Sequence, residues 1–431
     1  MSPRWGNWAR DQFCVPSAIV RPTSEAELAD VVARAARRGV RVRAVGSGHS
    51  FTDCACTDGV MIDTTGLQRI IDADPASGLV TIEAGAKLHT LGPQLAERGL
   101  GLENQGDIDA QSIAGATATA THGTGARFPN LSAQVVALRL VTGNGDVVTL
   151  SEDSAGDEYL AARVSFGALG VISQVTVQTV PLYTLHRRDE RRALTETLNR
   201  LDEFVDDNDH FEFFVFPYAE TALTRTTRRS DETPTPTPRW QRRFTADFEN
   251  AGLSLICRTG RCFPDAAPRL NRLMTNLMPE STVSDHAYKV YATERKVRFT
   301  EMEYAIPRGH ADAAIRRVID LVRRRNLPIL FPIEVRFAAP DDAFLSTAHG
   351  RDTCYIAVHQ YTGMEFDTYF RAVEEIMDDY AGRPHWGKRH YQSAGTLREQ
   401  YPDWDRFAVV RDRFDPDRVF QNDYTRRVLG D

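Results

Sequence analysis

The feature that most constrains this chain is the run VRAVGSGHSF at residues 42–51, where a short β-branched stretch ends in two glycines around a serine. Glycine has no Cβ, so consecutive backbone N–H groups in such a loop can converge on one anion. The run therefore predicts a strand over residues 40–45 that feeds a turn suited to a pyrophosphate, with His49 beside the bound group. It contains neither GxGxxG nor the Lys-Ser/Thr of a P-loop, so an ordinary strand-loop with a surface histidine remains the alternative.

Length and charge narrow the class of protein. The 431 residues allow two or three domains, and the net charge of −7 disfavours a nucleic acid or an anionic membrane as the main partner. The N-terminus has no apolar signal region and no run of 18 apolar residues occurs, so we expect neither a signal peptide nor a spanning helix.

Six cysteines are too few for a disulfide framework and favour a reducing, cytoplasmic location. Cys54 and Cys56 lack zinc-ligand spacing, so no metal is predicted.

Secondary-structure signals divide the chain near residue 183. Before it, short strands alternate with helices, beginning with a helix that Thr23 or Ser24 caps, and this pattern predicts an α+β fold with mixed sheets. After Pro181 the strands and helices become longer. We predict domains over residues 1–183 and 184–431, with residues 229–243 as an exposed proline-containing loop.

Residues 111–126 are unusual because Ala, Gly and Thr fill 12 of 16 positions, as five, three and four residues. Small side chains let backbone amides and threonine hydroxyls approach a ligand, whereas a flexible linker favours serine and charge. The segment therefore predicts a second ligand-binding element. A tightly packed small-residue helix is the alternative.

The segment FPIEVRF at residues 331–337 alternates as a strand would, which places Glu334 and Arg336 together on one face. In a cleft this pair could hold a polyol and stabilise developing negative charge. On an exposed sheet face it would be a surface salt bridge. His359 lies in an apolar strand, where a satisfied core histidine is the default interpretation. The cation-rich residues 383–390 predict a positively charged pocket wall, which would include Lys388.

Taken together, short motifs along the whole chain resemble the flavoproteins of the vanillyl-alcohol-oxidase type, and within them the sugar-1,4-lactone oxidases and dehydrogenases. The motifs are GNW at residues 6–8, VGSGHS at 45–50, ACTDG at 55–59, EAG at 83–85, ATHGTG at 120–125, QVVAL at 134–138, PIEVRF at 332–337 and GRPHWGK at 382–388.

The resemblance implies an α+β fold in which a two-subdomain FAD-binding domain of the PCMH type precedes an α+β substrate domain. An antiparallel sheet of that second domain would lie over the flavin, and the C-terminal segment would return to it. His49 would bond covalently to the flavin, and Val171 with Ile172 would meet the adenine end. The other implied cofactor-binding residues are Val45, Gly46, Ser47, Gly48, Ser50, Gly106, Asp107, Ser112, Gly115, Thr119, His122, Gly123 and Thr124.

The implied reaction is hydride removal from C2 of an aldono-1,4-lactone, with L-gulono-1,4-lactone the nearest match, to give an ascorbate-type product. Glu334 would orient substrate hydroxyls, and Arg336 and Lys388 would stabilise negative charge. His359 is a weaker candidate for substrate contact or proton acceptance. The family further implies that a small residue at Gly106 leaves room for dioxygen, so the electron acceptor would be dioxygen or a redox protein.

Other functions stay open at this point. Alditol or D-arabinono-1,4-lactone oxidation would use the same flavin face and the same Glu/Arg pair. A catalytically silent flavin-binding protein would not need Glu334, Arg336 and Lys388 together, and an NADPH-dependent reductase would need a second nucleotide motif. The sequence does not indicate an oligomeric state.

Overall fold

The computed structural model describes residues 3–231, 233–235, 239–293 and 295–431, without the side chains of residues 239–249. The strands are β1 (Trp5–Gly6), β2 (Phe13–Cys14), β3 (Ala18–Val20), β4 (Val42–Val45), β5 (Val60–Asp63), β6 (Ile70–Asp74), β7 (Leu79–Glu83), β8 (Leu100–Gly101), β9 (Val135–Val141), β10 (Val147–Ser151), β11 (Val171–Gln178), β12 (Val180–Pro181), β13 (Thr184–Ala193), β14 (His210–Val215), β15 (Thr221–Ser230), β16 (Ser281–His286), β17 (Phe299–Pro307), β18 (Ile333–Ala338), β19 (Thr353–Tyr361) and β20 (Arg383–Pro384). The helices are α1 (Glu25–Arg37), α2 (Leu88–Ala96), α3 (Ile113–Ala118), α4 (Glu152–Arg163), α5 (Leu194–Asn199), α6 (Leu201–Asp206), α7 (Arg239–Cys262), α8 (Ala267–Leu277), α9 (Ala287–Tyr291), α10 (Ala311–Arg324), α11 (Asp367–Asp378), α12 (Ala394–Gln400), α13 (Trp404–Phe414) and α14 (Asp423–Leu429).

Besides the two-stranded sheets β1-β2 and β8-β12, two larger sheets form the N-terminal part of the chain. One is a parallel sheet in the order β3-β5-β4, and the other is an antiparallel sheet in the order β10-β9-β11-β7-β6. Helix α1 begins as predicted, because the Ser24 side chain accepts a hydrogen bond from the Glu27 N–H at 3.2 Å. Its apolar face, which includes Leu28 and Val32, packs in a core with β4 and β5. The α+β character expected of this part is confirmed, but the expectation of mixed sheets is wrong for these two, since one is wholly parallel and the other wholly antiparallel.

An eight-stranded sheet dominates the rest of the chain, in the order β16-β13-β15-β14-β18-β19-β17-β20. On one face, Ile333, Val335 and Phe337 of β18 pack in a hydrophobic core with α10 and α11. Because side chains alternate along a strand, Glu334 and Arg336 lie on the opposite face, as predicted. The prediction of an antiparallel substrate-domain sheet is therefore confirmed, and β18 lies near its middle.

The C-terminal residues return to the N-terminal sheets. Phe420 lies in the same core as Leu28, and its carbonyl accepts a hydrogen bond from Arg43 Nη1 of β4 at 2.8 Å. The Asn422 amide donates to the carbonyls of Cys54 and Cys56 at 3.1 and 2.9 Å. The chain therefore closes on the strand that leads into the glycine loop.

Of the predicted proline-containing loop at 229–243, residues 232 and 236–238 lie outside the described part, and α7 begins at Arg239. The boundary near residue 183 stays a prediction. In the described part of the chain, no helix is both long and apolar enough to cross a membrane.

Candidate active site

The glycine loop at residues 46–50 is enclosed by the N-terminal residues. Gly48 adopts a φ of +65°, and a Cβ there would lie 3.1 Å from the Trp5 ring. The Gly48 carbonyl accepts a hydrogen bond from the Trp8 N–H at 2.8 Å. Val45 ends β4, and its carbonyl accepts a hydrogen bond from the Thr64 hydroxyl at 3.2 Å. These contacts hold the loop in a conformation that a side chain at Gly48 would disturb.

The start of the small-residue segment packs directly on this loop. A Cβ added to Gly46 would lie 2.1 Å from Ser112 Oγ, and one added to Gly115 would lie 2.8 Å from the same atom. Ser112 is buried and precedes α3, a helix of six residues. The two segments that the sequence predicted as ligand-binding elements therefore meet at Ser112. The segment is part helix and part irregular chain, because α3 ends at Ala118 and a turn follows at residues 119–120. The Thr119 hydroxyl donates to the Gly115 carbonyl at 3.0 Å.

Residues 104–106 and 121–123 form a second close contact between backbones. A Cβ on Gly123 would lie 2.5 Å from both Asn104 Oδ1 and the Gln105 carbonyl oxygen. A Cβ on Gly106 would lie 3.1 Å from the His122 carbonyl oxygen. Only glycine fits at position 123 without a shift of its neighbours. These two chain segments can therefore approach each other this closely because glycine has no side chain.

These elements have the features that FAD requires. Ser47 Oγ is buried and has no hydrogen-bond partner among the described residues, which fits a hydroxyl that donates to a phosphate oxygen. Glycines at positions 46, 115 and 123 let the glycine loop, the small-residue segment and residues 104–105 pack closely together. The residues that would hold FAD are therefore those of the glycine loop and of the small-residue segment that packs on it.

His49 stands at the edge of the glycine loop. Its ring stacks on that of Trp8, with centroids 5.4 Å apart and planes 21° apart. Burial, aided by the charges of Lys388 and Lys87, lowers the pKa of His49 to about 4. Its imidazole is therefore neutral at physiological pH and retains a nitrogen lone pair.

Arg336 is the centre of the polar face of the large sheet. Its Nε donates to Glu212 Oε2 at 2.8 Å, its Nη2 lies 3.1 Å from Asp107 Oδ2, and its guanidinium also contacts Glu334. Burial alone would lower the pKa of Arg336, but these three carboxylates hold it well above its ordinary value. Both Glu334 and Arg336 are 7% exposed, so the alternative of a surface salt bridge is wrong.

Glu334 differs from its neighbours in its proton affinity. Burial raises the pKa of Glu334 to about 7, because the attraction of Arg336 is offset by the nearby carboxylates of Asp107 and Glu212. A carboxyl group with this pKa changes between hydrogen-bond donor and acceptor near neutral pH.

Lys388 and His359 join this face through Glu301. The Lys388 Nζ lies 2.5 Å from Glu301 Oε2, and His359 Nε2 lies 3.4 Å from Glu301 Oε1 and 4.0 Å from Glu334 Oε2. His359 is buried, and its Nδ1 is hydrogen bonded to the Pro332 carbonyl at 3.1 Å. All four predicted catalytic residues therefore lie in one continuous charged face.

His122 is held against the same face. Its Nε2 lies 3.1 Å from Glu303 Oε1, its Nδ1 is 2.9 Å from the Gly123 carbonyl oxygen, and its ring stacks on Tyr355 with centroids 3.5 Å apart. Ligand atoms of His122, Glu303 and His385 lie within 4.8 Å of one another. Both ring nitrogens of His122 are already hydrogen bonded, so this cluster does not favour a metal ion.

Some predicted cofactor residues have other contacts. The Asp107 carboxylate pairs with Arg295 at 2.8 Å and with Arg336, so it belongs to the charged face. The Thr124 hydroxyl accepts from the Phe337 N–H at 3.2 Å and donates to the Phe211 carbonyl, which ties the segment to the large sheet. The side chains of Val171 and Ile172 are buried in hydrophobic cores, so only their backbone could meet an adenine.

Several charged residues of this face were not predicted from the sequence, namely Glu212, Arg295, Glu301 and Glu303. Glu301 and Glu303 could have been predicted from the sequence, because FTEMEY at residues 299–304 alternates polar and apolar residues as PIEVRF does. This alternation is typical of a strand with both glutamates on one face. The pairing of Glu301 with His359 across β17 and β19 was not readable, because register between distant strands depends on the whole sheet.

Comparisons with known proteins agree with this geometry. The family model described as D-arabinono-1,4-lactone oxidase matches residues 175–428, and the one described as FAD binding domain matches residues 16–151. The chain is 77% identical over 430 residues to L-gulono-1,4-lactone dehydrogenase of Mycobacterium tuberculosis strain H37Rv, with 100% of both chains covered. It is 33% identical to L-gulonolactone oxidase of Mus musculus, with 98% of this chain and 97% of the mouse protein covered. The crystal structure of cholesterol oxidase from B. sterolicum has the same fold, with a TM-score of 0.84, 17% identity and coverage of 100% and 97%.

Proposed function

The chain belongs to the family of FAD-dependent sugar-1,4-lactone oxidases and dehydrogenases, and from this premise we propose that it oxidises L-gulono-1,4-lactone at C2. The product would be a 2-keto lactone that enolises to an ascorbate-type compound. D-arabinono-1,4-lactone or an alditol is the second candidate substrate, because the same Glu334 and Arg336 pair would serve either.

The observation that carries the proposal is the position of residues 385–390. The Gly387 carbonyl accepts a hydrogen bond from the Phe51 N–H at 2.7 Å, directly after the glycine loop. One residue later, Lys388 pairs with Glu301 on the charged face. A short segment therefore links the elements that fit FAD to the residues that fit a polyol.

Bound FAD would supply the redox chemistry, as the acceptor of the hydride from C2. The protein residues hold the lactone and manage its proton. Ionised Glu334 accepts hydrogen bonds from substrate hydroxyls, and Arg336 stabilises the negative charge that develops on the C2 oxygen. His359 is the candidate for receiving the hydroxyl proton, since it lies between Glu301 and Glu334.

The proposal is tested by anaerobic titration of the purified holoprotein, with flavin absorbance as the readout. L-gulono-1,4-lactone should bleach the flavin, and NADPH should not. Bleaching by NADPH without bleaching by any lactone would assign the chain to reductases and contradict the proposal.

Glu334→Gln is expected to weaken lactone binding and to remove its pH dependence. In the wild type the dissociation constant should fall as pH rises toward 7, by up to about tenfold per unit, and level off above 7, because only the carboxylate accepts from two hydroxyls. The amide cannot ionise, so its profile should be flat. Rapid-mixing measurements of flavin reduction at varied lactone concentration and pH give the dissociation constant and its pH profile for the wild type and for Glu334→Gln. A sloping profile in Glu334→Gln would assign the titration to another group.

Covalent attachment of FAD to His49 is the second expectation, supported by its neutral ring beside the glycine loop. Acid precipitation of the wild type should leave a yellow pellet, and His49→Ala should release all flavin into the supernatant. His89→Ala changes an exposed histidine and is the matched control. Flavin in the wild-type supernatant would contradict covalency and leave FAD binding intact.

The electron acceptor is the third expectation, and Gly106 is its proposed determinant. We expect measurable peroxide with L-gulono-1,4-lactone, while artificial or cytochrome acceptors react at least as fast. In Gly106→Ala the added methyl lies 3.1 Å from the His122 carbonyl, so a small adjustment accommodates it. Oxygen reactivity should fall while anaerobic reduction is largely kept. Equal, slow reoxidation by air in both proteins would favour a dehydrogenase without this gate.

A further inference from the structure

Helices α7 and α8 carry a concentration of exposed apolar side chains. The helices follow one another through a short turn and contact each other. Four large apolar residues on these helices and on the turn between them are strongly exposed: Leu255 (66%), Phe263 (67%), Leu273 (47%) and Leu277 (62%). We call these residues, together with Arg258, Arg269 and Arg272, the α7–α8 face. Four of the eleven large apolar side chains that are exposed in the described part of the chain therefore lie between residues 255 and 277, whereas exposed apolar residues on a surface that contacts only water are usually scattered singly.

Helix α8 packs partly inward through Leu270, yet two of its leucines lie on its outward face. Its buried positions are the small or polar residues Ala267, Asn271 and Thr275, whereas Leu273 and Leu277 lie on the outward face. The inward face is firmly held, since the Asn271 amide donates to the Ile329 carbonyl at 2.9 Å and its Oδ1 accepts from the Tyr218 N–H at 3.3 Å. The packing of the inward face of α8 therefore sets the outward orientation of Leu273 and Leu277.

The charge of this surface is opposite to that of the whole chain. Residues 250–278 contain four arginines and a single acidic residue, Asp265, although the net charge of the protein is −7. Within the part of the chain that the structure describes, Arg258, Arg269 and Arg272 form no ion pair. Their charges are available to an anionic partner.

We propose that the α7–α8 face docks on an anionic phospholipid bilayer. A bilayer presents negative headgroups above an apolar layer, so it accommodates arginines and leucines that share one helix face. Phe263 and the leucines would enter the boundary between headgroups and acyl chains, while the arginines contact phosphates. The expectation from net charge, which disfavoured an anionic membrane as the main partner, does not apply to this local surface.

Vesicle sedimentation of the holoprotein tests the proposal. The wild type should sediment with vesicles of phosphatidylcholine and phosphatidylglycerol, and much less with phosphatidylcholine alone. Leu273→Glu/Leu277→Glu and Arg269→Glu/Arg272→Glu should each lower the affinity on the order of tenfold or more. Val409→Glu, at a residue that is 69% exposed on α13, is the matched control and should bind as the wild type does.

Each double variant should keep the melting temperature and the lactone reduction rate of the wild type, so that lost binding cannot be assigned to misfolding. The proposal is overturned if the wild type ignores phosphatidylglycerol, or if both double variants bind like Val409→Glu. It is also overturned if gel filtration shows a wild-type dimer that Leu273→Glu/Leu277→Glu separates and no vesicle binding occurs, since the face would then join two copies of the chain.

Discussion

Arg336→Ala is expected to slow anaerobic flavin reduction by L-gulono-1,4-lactone on the order of 10²-fold or more. The guanidinium is a buried, preorganised cation on the strand proposed to face the substrate. When it is removed, Arg225 still pairs with Glu212 and Arg295 with Asp107, but Glu334 loses its contact with a guanidinium. Its loss removes the charge that stabilises the developing C2 alkoxide. Rapid-mixing absorbance of the flavin under argon measures the rate.

The truncation also leaves three buried carboxylates without their shared cation, so loss of fold must be separated from loss of chemistry. Arg336→Lys keeps the charge and should recover part of the rate, because a single ammonium cannot reproduce the forked contacts. Arg308→Ala breaks a pair with Asp202 elsewhere and should reduce normally. Reduction within a few-fold of the wild type in both Arg336→Ala and Glu334→Gln would move the active site to other residues.

Gly46→Ala is expected to weaken FAD binding on the order of tenfold or more. The new methyl would lie 2.1 Å from Ser112 Oγ and 3.0 Å from Ser112 Cβ, so the Ser112 hydroxyl must turn away and the glycine loop and the small-residue segment must separate slightly. Both elements belong to the proposed cofactor site, and their separation should reduce the flavin content after purification. Fluorescence titration of released and rebound FAD measures the affinity.

The double variant Gly46→Ala/Ser112→Gly removes the atoms that the methyl meets, and it should restore part of the binding. Gly395→Ala is the control, since a Cβ there meets nothing within 4 Å. If Gly46→Ala binds FAD as tightly as Gly395→Ala does, the cofactor does not depend on the contact between the two segments.

Local sequence patterns predicted the elements that carry the site, and their limits have physical causes. The period of two in residues 332–337 placed Glu334 and Arg336 on one face, but it could not distinguish a buried cleft from an exposed sheet, which depends on the other elements that pack there. The glycine loop was predicted from the conformational freedom of glycine. Its contact with Ser112 was not predicted, because it joins parts of the chain that only the fold brings together.

The ion pairs of Asp107 show a second reason why the sequence could not predict the whole site. Its place beside Gly106 indicated a cofactor contact, yet its carboxylate pairs with Arg295 and Arg336, which come from distant parts of the sequence. Burial would raise the pKa of Asp107, and these two arginines hold it well below its ordinary value. Ion pairs of this kind depend on the arrangement of whole sheets, and a single sequence does not contain that information.

The measurement that tests the central claim most directly is flavin bleaching under argon with a panel of aldono-1,4-lactones and alditols, at matched concentrations and with wild-type holoprotein. Because no electron acceptor is present, the rate reports only oxidation of the added compound. We predict that L-gulono-1,4-lactone reduces the flavin faster than any alditol, and that Arg336→Ala loses this reaction while retaining FAD. Preference for an alditol, or no reduction by any lactone, would contradict the account.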